Sequence, residues 1–135
     1  MTTNPALDVS PEQLDAVLKF LPVFESKEFS CGEWVVHKGY MPNFRYDPDV
    51  DGFVLALYEQ HIVLQFDWVS WKDEAKRHMA NPDSLAGADL LTIRKLLTTH
   101  VRADRFVEGH LGQVFESGHI VEILRRLKAI REREM

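Results

Sequence analysis

Helix-start signatures recur along this chain, each directly ahead of an apolar stripe with helical spacing. Ser10-Pro11-Glu12-Gln13 offers a serine N-cap, a proline at the first helical position and a glutamine placed to close a capping box. Leu14, Val17, Leu18 and Leu21 follow as the stripe. Asp47-Pro48 opens another, with Val50, Phe53, Val54, Leu57 and Tyr58, expected to run to about Gln60. Asp89 precedes Leu90, Ile93, Leu96, Leu97 and Val101, and Ser117-Gly118 is a stop signal ahead of Ile120, Ile123, Leu124, Leu127 and Ile130. A chain patterned this way buries its apolar side chains by packing helix on helix. The expected fold is mainly α, a single compact domain over residues 10–135 with about six or seven short helices and at most a small two-stranded β element. A loose N-terminal tail is expected over residues 1–9.

Between the stripes the pattern is less regular. Pro22 stops or resets the first helix, because its ring clashes with the carbonyl four residues back. Residues 29–48 are rich in turn formers yet carry Phe29, Trp34, Tyr40, Phe44 and Tyr46, so this stretch is expected to pack down on the core. Trp34 to His37 reads as a short strand, and Ile62 to Phe66 as an extended segment that pairs with it. Asp67-Trp68-Val69-Ser70-Trp71 leads into a helix to about Ala80, which Asn81-Pro82-Asp83 ends. Thr98 and Thr99 are poor helix residues, so a break is expected near 99–102, with a further helix from about Ala103 to Glu116.

Composition narrows the class. The chain of 135 residues is 45% apolar and 27% charged, as soluble globular domains are. Cys31, the single cysteine, excludes an internal disulfide and a CxxC zinc site, and it is read as a buried, inert thiol. The first residues lack the basic start and apolar run of a secretory signal, and no segment approaches a membrane span, so a cytoplasmic setting with no membrane partner is expected. The net charge of −5 is uneven: residues 1–67 hold eleven acidic side chains against four basic ones, and residues 68–135 hold ten against twelve. That balance argues against a whole-chain nucleic-acid binder, though a local basic face remains open in the second half.

His100 to His119 carries more charge than a helix needs to stay soluble. Arg102, Asp104, Arg105, Glu108 and His110 fall within nine positions, beside Phe106 and Gly109. On a helical projection Ala103, Val107, Leu111 and Val114 share the apolar face, and Arg102, Arg105, Gly109, Gly112, Gln113 and Glu116 share the opposite one. Asp104 lies toward the apolar side and needs a donor there. It is either an N-cap or first-turn acid, or one member of a buried arginine–carboxylate network. Arg102 and Arg105, one turn apart, can grip a carboxylate or phosphate, or can be ordinary surface arginines with Arg105 paired to Glu108. Glycine inside a helix costs about 1 kcal/mol relative to alanine, so Gly109 and Gly112 suggest that a ligand or another backbone approaches closely.

The segments FDW-x-x-W (Phe66, Asp67, Trp68, Trp71), LLT-x-x-VRADRF-x-EGH (Leu96 to His110) and FESG-x-I-x-x-IL-x-RL (Phe115 to Leu127) resemble an uncharacterised family of small bacterial domains, over about residues 20–128. The resemblance implies a bacterial, cytoplasmic, largely helical domain; it implies no activity and transfers no catalytic residue. Asp67 is expected to cap the helix that Trp68 and Trp71 begin, those rings being core anchors or a stacking wall for a ligand.

Motifs for known chemistry are missing. There is no HExxH, GxSxG, Walker loop or GxGxxG, and Glu116 to His119 is a lone ExxH interrupted by Gly118, so neither metal nor cofactor is expected. Glu108 and His110 are about 200° apart on a helix and do not share a cleft directly. The terminal helix shows Arg125, Arg126, Lys128, Arg131 and Arg133 opposite its apolar stripe, either as a solvated face or as a nucleic-acid contact, and that helix packs within the monomer or forms a homodimer seam. The leading expectation is a binding or interaction module whose partner is an anionic small molecule or a protein. The candidate ligand-binding residues are Arg102, Arg105, Asp104, Glu108, His110, Trp68, Trp71 and Asp67. The alternatives are a small hydrolase or transferase on a phosphorylated or carboxylated substrate, and a nucleic-acid-associated factor; catalytic residues are not assigned.

Overall fold

Residues 8–135 are described by the computed structural model; most of the expected loose tail lies outside them, and its last residue, Val9, is buried. The helices are α1 (Pro11–Leu18), α2 (Leu21–Glu25), α3 (Pro48–Glu59), α4 (Lys72–Ala80), α5 (Leu90–Asp104), α6 (His110–Glu116) and α7 (His119–Arg133). A 3-10 segment, Pro82–Gly87, follows α4, and β1 (Gly32–Val35) and β2 (Asn43–Tyr46) make the small antiparallel hairpin. The mainly helical reading therefore holds.

Local chemistry sets most of the boundaries. Ser10 and Gln13 form the reciprocal capping box, the carboxylates of Asp47 and Asp89 accept the N–H groups of Asp49 and Thr92, and Gly118 takes the left-handed conformation (φ 84°) that starts α7. Leu14, Phe53, Leu57, Ile93, Leu96, Leu97, Ile123, Leu124 and Leu127 are fully enclosed in one core. Each such side chain contributes roughly 1.5–3 kcal/mol when taken out of water. Phe24 closes the core edge-on against Phe53 (5.2 Å between centroids) and Phe115 (4.8 Å). The stripe of α7 is spent inside this core, packed against α1, α2, α5 and α6.

Several boundaries differ from expectation, some for causes distant in sequence and some for local ones. β1 pairs with β2, Gly32 opposite Tyr46 and Val35 opposite Asn43, rather than with residues 62–66. The latter segment has its polar backbone satisfied elsewhere. Arg94, buried in α5, donates to the carbonyls of His61 (2.6 Å) and Ile62 (3.2 Å), and Leu64 N–H donates to Thr98 Oγ1 (2.9 Å). Nor does the helix break at 99–102. Thr98 and Thr99 turn their hydroxyls back onto the carbonyls of Arg94 and Lys95 (2.7 and 2.8 Å), and α5 runs unbroken to Asp104. The break comes at Arg105 to Gly109, so Ala103 to Glu116 is not one helix. α4 begins at Lys72 instead of Trp68; Asp67 caps a turn through the N–H and hydroxyl of Ser70.

Two arginines of α7 meet acids from the opposite end of the chain. Arg125 pairs with Glu25 (2.8 Å), Arg131 with Asp15 (3.0 Å), and Arg126 donates to the carbonyl of Ala88 (2.8 Å). Among the described residues no helix is long and apolar enough to cross a membrane.

Candidate functional site

Asp104 is neither the N-cap or first-turn acid of a following helix nor part of an arginine network; it makes a joint between α5 and α6. Asp104 ends α5, and its Oδ1 accepts the N–H of Leu111 (2.9 Å), in the first turn of α6, and the hydroxyl of Tyr46 (2.5 Å), from β2. Tyr46 Oη in turn accepts the N–H of Gly112 (3.1 Å). The carboxylate thus satisfies helix donors from outside α6, with no arginine in its contacts. Burial, and then the bond to Asp104, push the Tyr46 phenol above its usual range.

The two glycines are approached closely, as expected, but by aromatic rings. A Cβ on Gly109 would lie 2.7 Å from Trp34 Cζ2, and one on Gly112 would lie 2.9 Å from Phe44 Cζ. Gly109 also has φ 79°, a left-handed conformation that L side chains enter at a cost of roughly 1–2 kcal/mol. Both glycines are buried, although a single-helix projection sets them opposite the apolar face. Trp34 and Phe44, packed edge-on at 5.4 Å, thereby dock the hairpin on α6. Cys31, buried as expected, donates its thiol to the Gly112 carbonyl (3.7 Å), and burial pushes that thiol up.

The segment joining α5 to α6 stands out from the surface. Phe106 is 77% exposed and Val107 58%, so Val107 does not continue the apolar face. Phe106 nevertheless packs on Trp68 (5.8 Å), which brings the FDW-x-x-W and VRADRF segments together. Trp34, half exposed, reaches the same joint at Gly109. The expectation that the aromatic 29–48 stretch packs down fails at its tip, where Tyr40 and Met41 are largely bare.

Arg102 sets its guanidinium over the Tyr58 ring (5.7 Å), and Arg105 is exposed; neither has a carboxylate within ion-pair distance among the described residues. Glu108 is exposed and makes no pair with Arg105. Trp71 lies apart from the arginines, against Phe66 (6.2 Å), His78 (6.1 Å) and the ammonium of Lys95 (6.0 Å), in a hollow of about 510 Å³. Asp67 is engaged with Ser70, and the structure does not gather Asp67, Asp104, Glu108 and His110 around one opening.

His110 leads to a feature the sequence reading passed over. His110 Nε2 lies 3.2 Å from His100 Nδ1, their rings stacked at 5.4 Å, and His119 meets His100 edge-on at 5.3 Å. His100 and His119 are 3% and 1% exposed. His100 Nε2 and both nitrogens of His119 have no hydrogen-bond partner. Burial above all, and then the neighbouring imidazoles, push His100 down to about 3; burial and then His78 push His119 down to about 4. Burial also lowers His110, with Asp104 opposing. The imidazoles are stacked and edge-on instead of converging, and no group of three metal-ligating side chains able to hold an ion occurs among the described residues.

Fold and site together define a small helical domain with an exposed aromatic and guanidinium joint braced by a carboxylate–phenol pair. The chain belongs to a family of unknown function, DUF6508, which it matches over residues 9–133. Neither a curated protein nor a solved structure shows a match to it.

Proposed function

We propose that this chain is a non-catalytic interaction module of the bacterial cytoplasm, and that the joint between α5 and α6 is its contact surface. The partner is a protein segment with an acidic group beside an apolar anchor. The observation that carries this reading is Phe106, 77% exposed yet set against Trp68 in a braced segment next to Arg102 and Arg105. Interface hot spots are rich in aromatic residues and arginine, and a braced loop loses little entropy when it binds. A planar guanidinium without an internal acid is free to grip a carboxylate in two-point fashion. Arg125, Arg126 and Arg131 of α7 are turned to internal partners, which weighs against a nucleic-acid face there.

The test is titration of the full chain with a short Asp- and Phe-containing peptide and, separately, inorganic phosphate, followed by amide chemical shifts. The peptide is expected to move Arg105 to Gly109 and the Trp68 and Trp34 indole signals. Phe106→Ser, or Arg102→Ala with Arg105→Ala, should weaken binding at least tenfold with the fold intact. Shifts elsewhere, or unchanged affinity in both variants, would reject the surface; phosphate binding without peptide binding would reduce it to an anion site.

A further inference from the structure

α6 is short, bounded by two left-handed glycines, and seated on a file of histidines. Gly109 (φ 79°) precedes it and Gly118 (φ 84°) follows it. Each can change backbone conformation without the penalty a side chain imposes. His110, directly after Gly109, opens α6, and His119, directly after Gly118, opens α7; both rings contact His100 of α5.

We infer that α6 is an acid-released latch: proton uptake by the His110–His100–His119 file unseats α6 about Gly109 and Gly118 and frees the hairpin rings docked on it. A proton from solvent lands on an imidazole nitrogen, and the resulting cation faces only weak compensation. From α5 the file is met by Asp104, whose Oδ1 is already engaged by Tyr46 and Leu111. From α4 it is met by Lys76, which opposes protonation of His110, and by His78, which opposes protonation of His119. His78 is itself lowered by burial and then by Arg77, with Glu74 opposing, and its Nδ1 lies 2.6 Å from Ser84 Oγ. His119 also stands at the positive end of the α7 dipole.

The sign follows from linkage. These imidazoles resist protons while buried and accept them near pH 6.5 once released. The seated form therefore holds its full advantage above that pH and loses it as pH falls. The open population should rise about tenfold per pH unit for each imidazole released, so about a hundredfold per unit when two are. Trp34 and Phe44 would leave their glycine seats with α6, which connects the latch to the proposed contact surface; the opening itself does not rest on that reading.

The experiment is amide hydrogen exchange on the ligand-free full chain between pH 7.5 and 5, expressed as protection factors, with tryptophan fluorescence in parallel. Protection of α6 should fall more than tenfold while the amides around Ile123 to Leu127 keep theirs. In His100→Asn and His119→Asn, each measured separately so that one folding failure leaves the other, the pH dependence should flatten by one proton. Unchanged α6 protection at pH 5, equal loss across α7, or wild-type pH dependence in a folded variant would each overturn the latch. No ligand is present, so failure of the proposed peptide binding leaves this result readable.

Discussion

Two donors from distant parts of the chain meet at one oxygen of Asp104: the hydroxyl of Tyr46 and the N–H of Leu111. Hydrogen bonds to a charged group are worth roughly 1.5–3 kcal/mol, and a buried donor left alone forfeits its solvation. Asp104→Ala should therefore destabilise the chain by about 2–3 kcal/mol in denaturant unfolding. Asp104→Asn keeps an acceptor oxygen and should cost about 1 kcal/mol. Equal losses in the two variants would mean that an uncharged acceptor oxygen at this position recovers nothing. Tyr46 adds a pH signature. Its phenol is raised in the folded state, so folding favours the neutral hydroxyl, and stability should decline as pH climbs above about 10, where the unfolded chain ionises first. Tyr46→Phe should remove that alkaline decline; a decline of the same slope in the variant would assign it to other groups.

Elements whose limits are set by neighbours in sequence were readable from the chain alone. The capping box at Ser10 and Gln13, the Asp47-Pro48 start, the Asp89 cap and the Gly118 stop all appear where their local chemistry predicts. Elements decided at long range were not. Ile62 to Phe66 has strand composition, yet Arg94 and Thr98 take up its backbone groups from α5. Thr98 looked like a breaker because propensity counts its rotamer loss but not a hydroxyl that bonds both Arg94 O and Leu64 N–H. Thr98→Val should leave α5 helical by circular dichroism and cost roughly 1–3 kcal/mol by orphaning the Leu64 amide; a neutral result would show that the 62–66 segment is held by its side chains. At the site, Gly109 and Gly112 announced a close approach, but nothing near them named Trp34 and Phe44, some seventy residues earlier. The histidine file was equally hidden, because residues 100, 110 and 119 sit on three different helices.

On the scale of the whole molecule, the uneven charge of the sequence becomes a pairing rule. Acids of α1 and α2 face arginines of α7, so Asp15 meets Arg131 and Glu25 meets Arg125. These contacts are exposed and screened by salt, so their effect lies more in which surfaces fit than in stability. Asp15→Arg and Arg131→Asp should each lower the melting temperature at low ionic strength, and the double exchange should restore it; failure to restore would show the pair to be incidental. One consequence concerns a severed backbone. Residues 1–67 carry an excess of seven negative charges and residues 68–135 an excess of two positive, while the apolar core draws on both stretches. Two peptides made by cutting after Asp67 would each lack a complete interior, yet should recognise one another and reconstitute the domain, with an encounter rate that drops as sodium chloride is added.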